Sequence, residues 1–537
     1  MNSVIYNPLE EYNKHFKALH AQNTNQLFEK LVQESRVDVE ANRKTVAEYN
    51  EYRENLKKLK KKLNWLRFLR VIMWITIILI PLVILKTTPK IKQLKQDIQE
   101  ADKRIEELLA LAHNQMLPLN KLFTDRDALN LIEATIPLVS FDTCFTATQE
   151  KNMRENYDFQ EMLDLEQSTV DVLAGNYNDN PFIFENKLVH TMGTETYYGY
   201  KTISWTETYR DSNGKLCRRT RTQKLQASVT KPKPFYSNQV VLNYCAQGGP
   251  ELCFSRDGAH LERKSEKAIE RHVKRGERKL DRLTDKAVKN NQDFMSMSNT
   301  DFEVLFDALN RNNEVQYRTL FTPLAQNNMV DLILSKDGYG DDFDFIKQKR
   351  TNKIVSDHSQ GRAIKLAPGD YVSYSFDIIK DNFINKNIDF FKAVYFDFAP
   401  VWAIPMYQER PVHSLDPLPD YSKLYAEKEC ESLANAVDYR YIVHPQTKTK
   451  AILKSSYVST KDQVDETCIT AYSYDIEKRI EYVSVWGDDG RFHEVPVHWD
   501  EYIPLQVSNH FRVAEDGVIN DSKVIARKNN LCIFTSK

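Results

Sequence analysis

Four residues come nearest to a metal set: Cys245, Cys253, His260 and His272, spaced C-x7-C-x6-H-x11-H. A zinc knuckle holds its first two thiolates at C-x2–4-C, and this spacing misses it. Cys245 and Cys253 read better as strand thiols, or as a disulfide across Gly248-Gly249-Pro250 in an oxidising compartment. His493, His498 and Asp500 lie in RFHEVPVHWDEY, where an odd separation puts the two histidines on opposite faces of a strand. Asp341, Asp342 and Asp344, with Asp337 nearby, hint at calcium but lack the alternation and closing glutamate of an EF-hand, so a solvated acidic loop is expected. No GxSxG, GxGxxG or GxxxxGK[ST] motif is present. No catalytic, cofactor-binding or metal residue is assigned on these grounds, and the chain reads as leaning away from an enzyme.

The remaining chemistry-bearing stretch is aromatic. Glu195–Arg210 is rich in Tyr, Thr, Ile and Trp, and Asp211-Ser212-Asn213-Gly214 separates it from Lys215–Thr230. Asn-Gly between two β-prone runs signals a hairpin, expected here at 195–230. Tyr197, Tyr198, Tyr200, Trp205 and Tyr209 alternate irregularly, so cross-strand packing accounts for most of them. Tyr200 and Trp205 are the candidates to face a ligand, provided both line one groove. The helix expected at 259–292 carries basic clusters at Lys274-Arg275 and Arg278-Lys279, but acidic residues lace it throughout.

What must hold these elements is organised around Leu63–Leu85, LNWLRFLRVIMWITIILIPLVIL, whose part Val71–Leu85 carries no charge. A helix apolar on every side belongs in lipid or in a large core, and about 20 such residues cross a bilayer. A single transmembrane helix over 63–86 is expected, acting as an uncleaved signal-anchor. Excess lysine upstream favours a cytoplasmic N-terminus, and the side holding the C-terminal region is left open. Heptads flank the run: Tyr49, Tyr52, Leu56, Leu59, Leu63 and Leu66 before it; Ile91, Leu94, Ile98, Ala101, Ile105, Leu108 and Ala112 after it. Tyr49 and Ile91 are 42 residues apart, so the two seams are in phase and a self-associating coiled coil is expected. The rival geometry is a helical hairpin turning at Lys86–Pro89, with Pro81 and Pro89 counting against a straight rod.

At 537 residues the chain has room for several domains. The reading is 1–62 charged helix or coiled coil, 63–86 transmembrane, 87–116 coiled coil, 117–258 α+β with the hairpin, 259–335 helical and 336–537 β-rich α+β. Strands are expected at Tyr371–Ile379 and Ile388–Phe398, and a hairpin turn at Trp486–Arg491. The fold class is α+β. Basic residues number 74 and acidic ones 75, which argues against a nucleic-acid binder. Glycine is scarce, at 15 residues against an average of about 7 %, which disfavours glycine-rich phosphate loops. Mean hydropathy is −0.56, leaving one stretch apolar enough for lipid. Seven cysteines without a CxxC pair fit free thiols.

The runs GNYNDNPF (175–182), KTISWTETYRDSNGKLCRRTRTQKLQASVTKP (201–232), NRNNEVQYRTLFTPLAQNNMVDLI (310–333) and YGDDFDFIKQKR (339–350) resemble a group of uncharacterised bacterial membrane-anchored proteins. The resemblance implies a membrane protein with a helical front and an α+β rear, and supplies no activity or site residue. Three functions are therefore carried forward. The first is a membrane-anchored interaction or scaffold protein, bilayer-associated, homo-oligomeric and open to a protein partner. The second is an envelope-ligand-binding module using the aromatic hairpin. The third is a tethered hydrolase or transferase.

Overall fold

Residues 39–69 are dominated by Glu, Lys, Leu and Asn around a heptad of apolar positions, a composition that favours an amphipathic helix. The computed structural model describes residues 5–75, 80–159, 165–290, 294–411, 423–518, 524–528 and 530–535, without the side chains of 70–87 and 535. It divides into two units: a helical one, Glu10–Pro137 with Lys365–Tyr395, and a sheet-bearing one, Met1–Leu9, Leu138–Ile364 and Phe396–Lys537.

In the helical unit two long helices, Val39–Ile75 and Ile80–Asn120, run antiparallel. Lys60 pairs with Asp102 at 3.3 Å, Arg104 with Glu48 at 3.8 Å, and the Gln115 amide donates to the Thr45 hydroxyl at 3.1 Å. Low numbers thus meet high ones along legs roughly 55–60 Å long. Asp38 starts the first leg by accepting from the Ala41 amide at 2.9 Å. Asn42, fully buried at a seam position, donates to the Tyr374 carbonyl at 3.0 Å and accepts from the Phe376 amide at 3.0 Å. One polar group at such a position fixes register. Phe28, Leu31, Met116, Leu119, Tyr371 and Phe383 close the base of the hairpin.

The transmembrane expectation is overturned. Among the described residues no helix is long and apolar enough to cross a membrane, so the single-pass span at 63–86 and the single-pass localisation built on it are not supported. The apolar run is shared between two helices, Val71–Ile75 ending one and Ile80–Leu85 opening the next, and residues 76–79 lie outside the described ones. Pro81 lies within the second of these helices. The long coiled-coil rod through a membrane is thereby replaced by two antiparallel helices, the second of which continues through the expected Lys86–Pro89 turn.

The sheet-bearing unit holds two antiparallel sheets. One has the order β1 (Val139–Phe141), β2 (Gln167–Tyr177), β3 (Asn180–Arg210), β4 (Leu216–Cys245), β7 (Thr351–Ser356), β6 (Phe343–Gln348), β5 (Cys253–Arg256). The other runs β11 (Val524–Lys528), β12 (Leu531–Thr535), β10 (Phe492–Glu515), β9 (Val464–Trp486), β8 (Ile452–Lys461). The chain mixes helix and antiparallel sheet, but the expected fold, built on an N-terminal helix with one transmembrane segment, is corrected on that segment. The strands expected at Tyr371–Ile379 and Ile388–Phe398 give way to a helix, Phe376–Trp402, in which Phe383, Phe390 and Phe391 are buried. Aromatic β-propensity is a weak local preference, and burial overrides it there.

Candidate functional site

Two hairpins extend past their sheets. β3 pairs with β2 only as far as Val189, so from His190 onward β3 and β4 continue as a two-stranded ribbon to the turn at Asp211–Gly214. That turn is built as its residues require. Gly214 takes φ +78°, and the Asp211 carboxylate accepts from the amides of Asn213 and Lys215, both at 2.9 Å. β9 and β10 form the second ribbon, turning at Gly487–Gly490, with the Gly487 amide donating to the Arg491 carbonyl at 2.8 Å.

The ribbons pack on each other as an arm. Ile203, Leu225 and Ala227 of the first meet Val495 and Val497 of the second, and full burial of one such Val, Leu or Ile side chain contributes about 1.5–3 kcal/mol. A Cβ at Gly199 would stand 2.1 Å from the Pro496 carbonyl oxygen, so the approach there requires glycine. Lys201 donates to the Glu494 carbonyl at 3.1 Å, the Asp488 amide donates to Gln223 at 2.8 Å, and Lys231 pairs with Glu481 at 2.5 Å.

Strand alternation leaves the opposite face of the first ribbon uncovered. Every even-numbered residue from Thr194 to Arg210 and from Leu216 to Pro232 is exposed, and the register places them side by side, Thr196 against Thr230, Thr206 against Thr220 and Thr208 against Arg218. The face is roughly 50 Å long. Threonine and serine hydroxyls dominate it, Tyr198 and Tyr200 stand 55 % and 51 % exposed, and Arg210, Arg218 and Lys224 supply charge. The Lys224 ammonium lies 4.0 Å from the Tyr200 ring centroid. No aspartate or glutamate occupies an even position on either strand in these spans. At the far end of the second ribbon Trp486 and Phe492 meet edge-on at 4.8 Å, 58 % and 71 % exposed.

The structure separates the two aromatics expected to face a ligand together. Tyr200 is on the open face, whereas Trp205 turns to the packed side, against the Ile203 cluster, its indole N–H donating to Glu207 at 3.3 Å. Odd sequence separation within a regular strand dictates this. Sequence reasoning assigns Tyr198 with the other hairpin aromatics to cross-strand packing and does not single out Lys224, although the run of threonines at every second position is there to place both on the open face.

The seam residues close on each other within the helical hairpin. Leu56, Leu63, Ile91 and Leu108 are buried, Tyr49, Leu59, Leu94, Ile98 and Ile105 half-buried, and Tyr52 exposed. Intrachain pairing of the two legs accounts for both heptads.

The other candidates are dispersed or enclosed. Among the described residues no two cysteines form a disulfide. His260 faces Asp357 at 3.1 Å while His272 lies on the Glu266–Asn290 helix, and among the described residues no three His, Cys, Asp or Glu side chains converge as metal ligands. His493 binds Asp489 at 3.0 Å, and His498 points from an even, exposed position. The acidic run is not solvated. Asp341, fully buried, pairs with Arg256 and accepts from the Ala259 amide at 3.1 Å. Asp342 holds His358 Nδ1 at 2.6 Å, and Ser359 donates to both oxygens of Asp397 at 2.8 and 2.7 Å. This Ser–His–Asp composition does not make a triad: the serine hydroxyl is spent on Asp397, the Tyr339 ring covers His358 at 3.8 Å, and His358 and Ser359 are buried. Lys347, pushed down to about 7 by burial, donates to the carbonyls of Gly248 at 2.9 Å and Lys349 at 2.5 Å and so braces a turn. Comparison with protein families, with curated proteins and with solved structures finds no match to this chain.

Proposed function

We propose that the protein is a non-catalytic binding protein that takes an extended acidic polysaccharide along the open face of the β3–β4 ribbon. One observation carries the reading: a continuous exposed face of hydroxyls, two tyrosine rings and three cations without a single carboxylate. Hydroxyls on two strands offer paired donors and acceptors to sugar hydroxyls, exposed tyrosine rings stack on the apolar faces of pyranose rings, and the cations meet carboxylate or sulfate groups. A nucleic acid fits less well. Duplex DNA carries a charge about every 1.7 Å of axis, and three cations over roughly 50 Å neutralise little of it. The enclosed His358 cluster supports no rival hydrolase reading, because no substrate reaches side chains so covered.

The test is a titration of the full chain with oligogalacturonate, neutral dextran and poly(dT) at two salt concentrations. Oligogalacturonate should bind, dextran at least tenfold more weakly, and Lys224→Glu with Arg218→Glu should lower oligogalacturonate affinity about tenfold while adding salt has the same direction of effect. Equal affinity for dextran, preference for poly(dT), or no binding to any of the three would overturn the reading.

A further inference from the structure

At the root of the arm, where the two ribbons leave their sheets, the sheet-bearing unit contains a cleft of about 450 Å³. That volume suits a small organic molecule. Its walls are aromatic and aliphatic: Tyr236, Tyr472 and Tyr474, with Leu165, Ile452 and Pro504. The His190 imidazole packs between two of these rings, 5.3 Å from Tyr236 and 5.7 Å from Tyr474, inclined 29° to the latter. His190 is only 9 % exposed, and its Nε2 has no hydrogen-bond partner among the described residues. Buried polar atoms normally have partners, so an orphan beside a cleft points to a missing one. Tyr236 donates its hydroxyl to Thr449 at 3.3 Å, which fixes the ring and leaves its face for the cleft.

Charge then decides among ligands. Among the described residues no lysine or arginine lines the cleft, and Glu166 is the one carboxylate there. The Glu166 backbone carbonyl accepts from the His190 amide at 2.7 Å, tying the carboxylate-bearing residue to the imidazole-bearing one. The Tyr474 hydroxyl is held above its usual range first by burial and then by the nearby Glu166 charge. Aromatic faces with a carboxylate at the rim attract organic cations.

We infer that this cleft binds a primary or secondary organic ammonium ion with an apolar body. The tyrosine rings receive the body and the cation's face. Glu166 supplies the countercharge, and an ammonium N–H completes His190 Nε2 in the tautomer protonated on Nδ1. This site is independent of polysaccharide binding on the ribbon face.

The experiment is calorimetry on the full chain with benzylammonium, benzyl alcohol and benzoate as probes. Benzylammonium should bind at least fivefold more tightly than benzyl alcohol, with benzoate weakest. Glu166→Gln should bring benzylammonium to within twofold of benzyl alcohol and leave the alcohol's affinity unchanged. Tyr474→Ala should weaken both, and Tyr474→Phe, which keeps the ring, should retain the preference for the cation. Equal affinity for cation and alcohol, preference for benzoate, an unaltered preference in Glu166→Gln, or no binding of any probe overturns the inference.

Discussion

The helical hairpin and the β3–β4 ribbon are both long antiparallel pairs, and they use their side chains in opposite ways. In the helical hairpin the apolar seam of each leg faces the other leg, so Leu56, Leu63, Ile91 and Leu108 are consumed within the chain. In the ribbon, period-two geometry splits the side chains between a packed face at Ile203, Leu225 and Ala227 and an open one at Thr202, Thr206 and Lys224. A helical pair can spend nearly all of its apolar surface on itself. A two-stranded ribbon packed on one side always leaves a face outward, and its composition is then free to serve binding.

The comparison breaks most severely at the seam. Leu108→Lys puts a charge where exposure is 2 % and should cost about 4 kcal/mol or more, lowering the melting temperature of the helical unit with no change in arm binding. Sedimentation alongside melting checks this: a folded unit that merely loses association would show that the seam serves a second copy instead. A smaller effect belongs to His20, stacked on Phe391 at 4.0 Å, its Nε2 3.2 Å from the Asn387 carbonyl, and held down to about 4 by burial. Because the folded value lies below the ordinary 6.5, the stability it contributes is fully present above pH 6.5 and is lost as pH falls toward 4. The loss is about 3 kcal/mol, and His20→Phe should flatten that part of a denaturation profile. Next comes Gly199→Val, which drives a side chain into the Pro496 carbonyl and should loosen the two ribbons by about 2 kcal/mol, seen as faster amide exchange over 473–505. The smallest effect on stability sharpens the contrast. Thr206→Ala with Thr220→Ala should stay within about 0.5 kcal/mol of the parent in melting yet weaken oligogalacturonate binding severalfold.

Much of this was legible in the sequence. The Asp211–Gly214 and Trp486–Arg491 turns, the heptad positions and the α+β class follow from turn chemistry and periodicity, which act locally. The transmembrane expectation failed because hydropathy along Val71–Leu85 does not register that the helices on either side of residues 76–79 run antiparallel and pair with each other. The strands expected around Ile388–Phe398 failed because Phe and Tyr serve a buried helix as readily as a strand. The open face was written in alternate threonines, but which parity is covered depends on Val495 and Val497, nearly three hundred residues away. His190, Tyr236 and Tyr474 carry no shared spacing, so only the fold assembles their cleft.

The most direct measurement of the central claim is methyl NMR on the chain labelled at threonine, titrated with oligogalacturonate. The account predicts shifts concentrated at Thr202, Thr206, Thr208, Thr220 and Thr222 on the open face, with Thr351 and Thr467 in the sheets unmoved. Shifts elsewhere with these five unmoved, or no shift at saturating ligand, would contradict it.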